Sequence, residues 1–319
     1  MIENDDLLTR ESFDDSIIKN INSLSSSVIS LDLFPRNSDE SSDDGRFERM
    51  LSYSKINSIK NIIIPTNEYN ISKEIDIDFG DINIDFCNSK IKYIGNNTSY
   101  NYNDKNSLFK FKGSINKTFN NGIKKYIPTY INQSMTDNGY SKLVVTNEVY
   151  NYVNEGDYIS LNVYTKEAPY DYHETPMILT FCKIVKKEIS NLDKTLIIDY
   201  YSPYNWDNLS LVTQELSVIT PLKNITVNNL NIEFKESKLQ ALGGICFEYC
   251  VNTNIKCCNV YYNHLPSYWI SYCNHVYIES CNTHLPQYVN SGQGYNVQCL
   301  GSQDILIQNN IGYGCRHLI

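Results

Sequence analysis

KNITVNNLNI at 223–232, TNIKCCNVYY at 253–262, HVYIESCNTH at 275–284 and DILIQNNIGY at 304–313 are four versions of one short pattern. Aligned on Ile225, Ile255, Val276 and Ile305, they recur at intervals of 30, 21 and 29 residues, and two residues on stand Val227, Cys257, Ile278 and Ile307. Small apolar side chains two apart lie on one face of a β-strand, and their return once per supersecondary unit marks a stacked solenoid. Asn229, Asn259, Ser280 and Asn309 fall at the expected corner. Asn tolerates left-handed backbone angles there, and its amide can bond its counterpart in the next turn. Leu230, Val260, Cys281 and Asn310 follow.

At 319 residues and 41% hydrophobic content the chain holds one large domain or two smaller ones, with apolar surface enough for a core. Its 27 basic and 36 acidic residues give a net charge of −9, which lacks the positive field that nucleic acid or anionic lipid requires. No apolar run approaches the roughly twenty residues of a membrane span. The opening MIENDDLLTR is acidic, where a secretory signal is basic and then apolar. Synthesis in a cytoplasm without a signal peptide follows. Eight cysteines, Cys246, Cys250, Cys257, Cys258, Cys273, Cys281, Cys299 and Cys315, fall in the repeat region, and no CxxC occurs. They read as reduced, buried thiols, and no metal or other cofactor is expected.

Ile17, Ile21, Leu24, Val28 and Leu31 have the 4-3-4-3 spacing of a coiled-coil seam, although two heptads serve equally as a single amphipathic helix lying on its own domain. Residues 1–33 are therefore read as an N-terminal helical segment suited to trimerisation. A second helix is expected from Asp43 to Ile56, capped by Ser42, with Phe47, Met50 and Leu51 on its apolar face. Close-set alternating strands complete a lead-in over 34–95. Residues 96–220 read as a small β insertion and 221–319 as the main turns of the solenoid.

The run DDGRFERMLSYSKINSIKNIIIPTNEYNIS at 43–72 resembles the lead-in of pectate-lyase-like, right-handed β-helix proteins of phage tailspikes and tail appendages. Asp43, Asp44, Phe47, Pro65, Tyr69 and Ile71 match that pattern, while Glu68 stands where Gly is usual. NEGDYISL at 154–161, LIIDYYSPYNW at 196–206 and LKNITVNNLNIEF at 222–234 are similar to the family as well. The resemblance covers about residues 34–319 and implies an all-β fold: a right-handed parallel β-helix with a short helical N-terminus and a β insertion. It also implies binding or cleavage of cell-surface polysaccharide or teichoic acid, assembly as a homotrimer, and attachment to other tail proteins through the N-terminus.

Glycosidic cleavage needs two carboxyl groups roughly 5 to 10 Å apart, and stacked strands repeat at about 4.8 Å. Glu248, Glu279 and Asp304 are the catalytic candidates, although a strand Glu on a solvated face is the ordinary case. Arg316 and His317 are similar to a Gly-Arg-His turn of related phage β-helices, which implies either a contact to an anionic sugar or phosphate or a structural pair. Trp269, Tyr272 and Tyr295 are the candidate sugar-stacking rings among 26 tyrosines and 2 tryptophans. His264, His275 and His284, with HLP following twice, read as equivalent loops rather than a metal triad.

The sequence thus reads as a phage tail fibre or tailspike protein of the virion that binds a host surface glycan, with or without depolymerising it. A cellular polysaccharide lyase or hydrolase and a purely structural virion protein are the rival readings. The pattern stops in mid-repeat at Ile319, so further turns are expected beyond it.

Overall fold

Backbone torsions at the corners explain how short strands close into a repeating path. Asn229, Cys257, Ser280 and Asn309 have φ of 57, 53, 54 and 56°, one in each of the last four passes of the chain. Asn224, Asn252, His275 and Asp304 form a second left-handed column, with φ between 55 and 57°. Each bends the strand sharply without interrupting the hydrogen bonding on either side. The computed structural model describes residues 28–98, 105–129, 140–165, 176–190, 192–200, 211–236, 240–287 and 293–319.

Between the corners the chain visits three parallel sheets in a fixed cyclic order. The first sheet aligns Val28–Ser30, Asn61–Ile63, Ile82–Asp85, Leu222–Asn228, Cys250–Lys256, Asn274–Glu279 and Gln303–Gln308. The second runs from Glu68–Ile71 through Lys90–Tyr93, Asn231–Glu233, Asn259–Tyr261 and Asn282–His284 to Ile311–Tyr313. The third contains Ile75–Ile77, Ser107–Lys112, Gly243–Glu248, Tyr268–Ser271 and Val297–Leu300. Register places Ile29, Ile62, Ile84, Val227, Ile255, Ile278 and Ile307 in one column. All are buried except the half-buried Ile307.

That register corrects the sequence alignment in its second repeat. Ile255, not Cys257, stands between Val227 and Ile278, and Cys257 is exposed at the corner. Likewise Thr253, not Ile255, lies between Ile225 and Val276. Thr has the branched shape of Val, so it fills an inward position, at the cost of a buried Oγ1 without a partner. Asn259 is not a corner either. It belongs to an amide ladder in which Asn259 Nδ2 donates to Asn231 Oδ1 at 2.8 Å and Asn282 Nδ2 to Asn259 Oδ1 at 2.9 Å. All ten cysteines are unpaired, but Cys257 and Cys299 are exposed and Cys315 half-buried, so the thiols are not uniformly internal.

Helix α1 (Asp44–Ile56) lays Phe47, Met50 and Leu51 against the interior. Ser42 does not cap it; its hydroxyl donates to Asp44 Oδ2 at 2.7 Å. The acidic pair instead fastens the helix to the second sheet. Asp43 accepts from Asn70 N–H at 2.8 Å and Arg36 Nη2 at 2.7 Å, and Asp44 accepts from Ser72 N–H at 2.8 Å. Burial alone would raise the Asp43 carboxyl, but Arg36, Asn70 N–H and Arg46 outweigh it and hold it below the usual range. Val28–Ser30 is a strand and Leu31 is buried in a short 3₁₀ helix, so the last two seam positions are not on an α-helix. Ile17, Ile21 and Leu24 lie outside the described residues.

The insertion begins at Ser114 rather than near residue 96, because Ser107–Lys112 pairs within the third sheet. Gly113 makes the turn between them. A Cβ there would sit 2.6 Å from the Tyr249 carbonyl oxygen and 2.7 Å from that of Thr220. Seven antiparallel strands follow in the order Ser114–Asn120, Leu211–Thr220, Tyr158–Thr165, Pro176–Ser190, Asp193–Ile198, Tyr140–Val145, Ile123–Thr129. Their inward residues, among them Phe119, Tyr126, Leu143, Ile159, Leu196 and Leu216, form a core of their own. Helix α2 (Asn147–Tyr152) packs Val149 into it.

Two substitutions test the register. Ile278→Ala is expected to cost about 2 to 5 kcal/mol in chemical denaturation. Thr253→Val is expected to stabilise by about 1 kcal/mol, because it removes an unsatisfied buried hydroxyl without changing shape.

Candidate functional site: the groove between the insertion and the parallel sheets

The three carboxylates proposed from sequence lie apart. Glu248 is 5% exposed and ion-paired to Lys105 Nζ at 2.5 Å and Lys112 Nζ at 3.0 Å. Burial would raise its pKa, yet the two lysines overcome that and hold it below the ordinary carboxylate range. It is thereby fixed as an anion and unsuited to donate a proton. Glu279 is half-buried on the first sheet, accepting from Gln308 Nε2 at 3.0 Å. Asp304, at a corner, meets His275 Nδ1. His275 and Glu279 are four residues apart on the same strand, about 13 Å at the usual rise. Glu279 and Asp304 are therefore too far apart to cleave one bond together.

The proposed aromatic contacts divide in the same way. Trp269 is fully buried against Cys246 and Leu265, so neither of its faces is open to a sugar. Tyr272 is also buried, stacked on Tyr249 at 5.4 Å with its hydroxyl donating to Asn162 Oδ1 at 2.7 Å. It joins the insertion to the sheets. Tyr295, Arg316 and His317 do meet: the Tyr295 and His317 rings stack at 5.0 Å, and the Arg316 guanidinium lies 5.9 Å from the Tyr295 centroid. His264 is buried, which lowers its pKa, while Tyr261 and His284 stack at 4.5 Å. No cluster of three metal-ligating side chains occurs among the described residues.

A groove of about 410 Å³ opens where the insertion returns to the first sheet. The strand Leu211–Thr220 ends beside Pro221, and the next strand delivers Lys223. Opposite them stand Tyr152 at the end of α2 and the turn Asn154–Asp157. In that turn Asn154 N–H donates to Asp157 Oδ2 at 2.7 Å, and Gly156, at φ 93°, has no atom within 4 Å of where a Cβ would be. Asn116 and Thr220 bond one another across the wall at 2.9 Å. Tyr158 stacks on Phe181 at 5.3 Å, and Lys223 Nζ lies 5.3 Å from the Tyr158 centroid.

Asp199 belongs to the same junction and was missed in sequence. It closes an apolar strand, accepts from Lys183 N–H at 2.5 Å, and is near enough to His275 and Tyr158 to influence and be influenced by their charges. Burial raises its pKa, only partly offset by the Lys183 N–H, Lys183 and His275. An Asp ending the run LIID is the only signal the sequence offered, and it is a common one.

No protein-family model matches the chain, and no curated protein matches it. Among solved structures it is similar to the Gp54 tailspike of Acinetobacter baumannii bacteriophage AP22, solved in complex with A. baumannii capsular saccharide: 13% identity, TM-score 0.52, covering 93% of this chain and 46% of that one. It is also similar to the tailspike gp61 of Pseudomonas phage phi297, at 8% identity and TM-score 0.53, over 88% of this chain and 43% of that one. The chain thus spans less than half the length of either and has a phage tailspike-like fold.

Two outcomes follow from these charges. Glu248→Gln should cost about 3 to 5 kcal/mol, because it leaves the Lys105 charge buried without its partner. For Asp199 the folded pKa is raised, so its contribution is present below the unfolded carboxylate pKa and is lost as pH rises through the folded value. Asp199→Asn should therefore raise the melting temperature at pH 7, with the gap closing as pH falls toward 4.

Proposed function

We propose that the three sheets are the walls of a right-handed parallel β-helix, and that the protein is a phage tail component that binds a host surface glycan. The hand is supported by the crossover rule, which right-handed connections between parallel strands obey in about 98% of cases. Glycan binding is supported by the tailspike-like fold and, above all, by the groove beside the insertion. Its amide, hydroxyl and phenol groups suit a polyhydroxylated ligand, and its volume is in the range of small-ligand sites, roughly 300 to 1,000 Å³.

The reading extends to a homotrimer held to other tail proteins through its N-terminal residues. Several weak sites on one particle would then act together with useful avidity. The reading is of binding rather than cleavage, since Glu248 is neutralised by lysines and Glu279 and Asp304 are too widely spaced. The test is co-sedimentation of the purified chain with capsular and cell-wall polysaccharides of candidate hosts, together with assay of released oligosaccharide. Binding without release is expected, and Tyr152→Ala should weaken it about fivefold to tenfold. Retention on none of the polysaccharides would remove the reading.

A further inference from the structure

We propose that the groove beside the insertion is an acidic-sugar subsite, in which Lys223 holds the carboxylate of a uronic-acid-type residue. This rests on the glycan-binding reading and names the class of sugar. Lys223 is exposed, lines the groove and forms no ion pair among the described residues. Other lysines of the sheets and the insertion are already committed to carboxylates: Lys90 to Glu233, Lys92 to Glu68, Lys105 and Lys112 to Glu248, and Lys117 to Glu148. Lys223 is not committed in that way, and it faces the groove.

Its backbone is held firmly. The Lys223 carbonyl accepts from Asp81 N–H at 2.6 Å, and a Cβ on Gly80 would come within 2.4 Å of that carbonyl oxygen. The ammonium is steadied by the Tyr158 ring, itself pinned by its stack on Phe181. A cation over an aromatic face keeps its charge and its remaining donors.

The groove's own carboxylate does not replace the missing partner. Asp157 accepts the Asn154 N–H within its turn, and no bond or ion pair joins it to Lys223. Among the described residues that line the groove Lys223 is the one cation, which suits one negative charge. A lysine is a compact point charge with three donors, enough for a carboxylate. The Asn154 side chain remains for a hydroxyl, beside the mutually bonded Asn116 and Thr220, and Tyr152, 42% exposed with Lys117 Nζ 5.1 Å from its centroid, offers its exposed part to the ring.

The experiment titrates the full chain with methyl glucuronoside and methyl glucoside, followed by saturation-transfer NMR at low and high salt. The wild type should prefer the acidic sugar by about tenfold, in line with a charge-assisted hydrogen bond, and added salt should erode that preference. Lys223→Gln should abolish the preference by weakening glucuronoside binding about tenfold, and Lys223→Arg should largely restore it. Lys223 is exposed, so both variants should fold, which their melting temperatures verify. Equal binding of the two sugars, or a preference that survives Lys223→Gln, overturns the acidic-sugar assignment and leaves glycan binding in place. Binding of neither sugar removes the groove as a glycan site altogether.

Discussion

Register between successive passes of the chain is the constraint on which the remainder of the molecule depends. Seven aliphatic side chains from Ile29 to Ile307 stand in one column, and a one-residue slip in any strand would turn its inward set to solvent. The left-handed corners protect that register. Because Asn229, Cys257, Ser280 and Asn309 all bend at φ near 55°, the path from first sheet to second turns alike in each of the last four passes. The amide ladder of Asn231, Asn259 and Asn282 fixes the second sheet in turn, since each side chain satisfies the next only when they are level. Local conformation, polar satisfaction and apolar packing agree on one alignment, and such agreement makes a repeating fold specific.

The insertion departs from this scheme without disturbing it. It leaves after Gly113 and returns at Leu222, so two adjacent passes meet as though nothing intervened: Ser107–Lys112 pairs with Gly243–Glu248, and Ile82–Asp85 with Leu222–Asn228. Its own core is separate from that of the sheets. Between them lies a small aromatic cluster of Phe181, Tyr249 and Tyr272, tied down by the Tyr272 hydroxyl to Asn162 and by Gln303 Nε2 to the Phe181 carbonyl. Two separately packed cores joined through this cluster leave concave space along the seam, and the groove occupies it.

Periodicity made the stacked parallel strands legible, and the acidic pair marked the lead-in helix, because both depend on local spacing. The slip in the second repeat shows where spacing runs out. Thr253 is polar by name but Val-like by shape, while Cys257 is apolar by name but stands at a corner, so aligning apolar letters chose the wrong pair. Trp269 and Glu248 were legible as strand residues. That other parts of the chain cover the outer face of their sheet, or that Lys105 reaches Glu248 across 143 residues of sequence, was not. Asp199 and Lys223 each come to Tyr158 only through tertiary docking, for which no short-range pattern exists.

Abundant tyrosine does not by itself make a sugar platform. Where aromatic residues occupy equivalent positions in successive turns, the repeat of about 4.8 Å brings ring onto ring, as Tyr261 on His284 with only 9° between their planes. Such rings spend their faces on each other and offer solvent their edges, whereas a sugar stacks on a face. The regularity that stabilises the parallel sheets therefore works against recognition along the column. Recognition needs a place where the repeat is broken, with an aromatic ring set beside polar groups that have no counterpart one turn away. The insertion makes that break: Tyr152 comes from a helix, Asn154 and Asp157 from a turn, and Lys223 from the first residues after the chain rejoins its sheet.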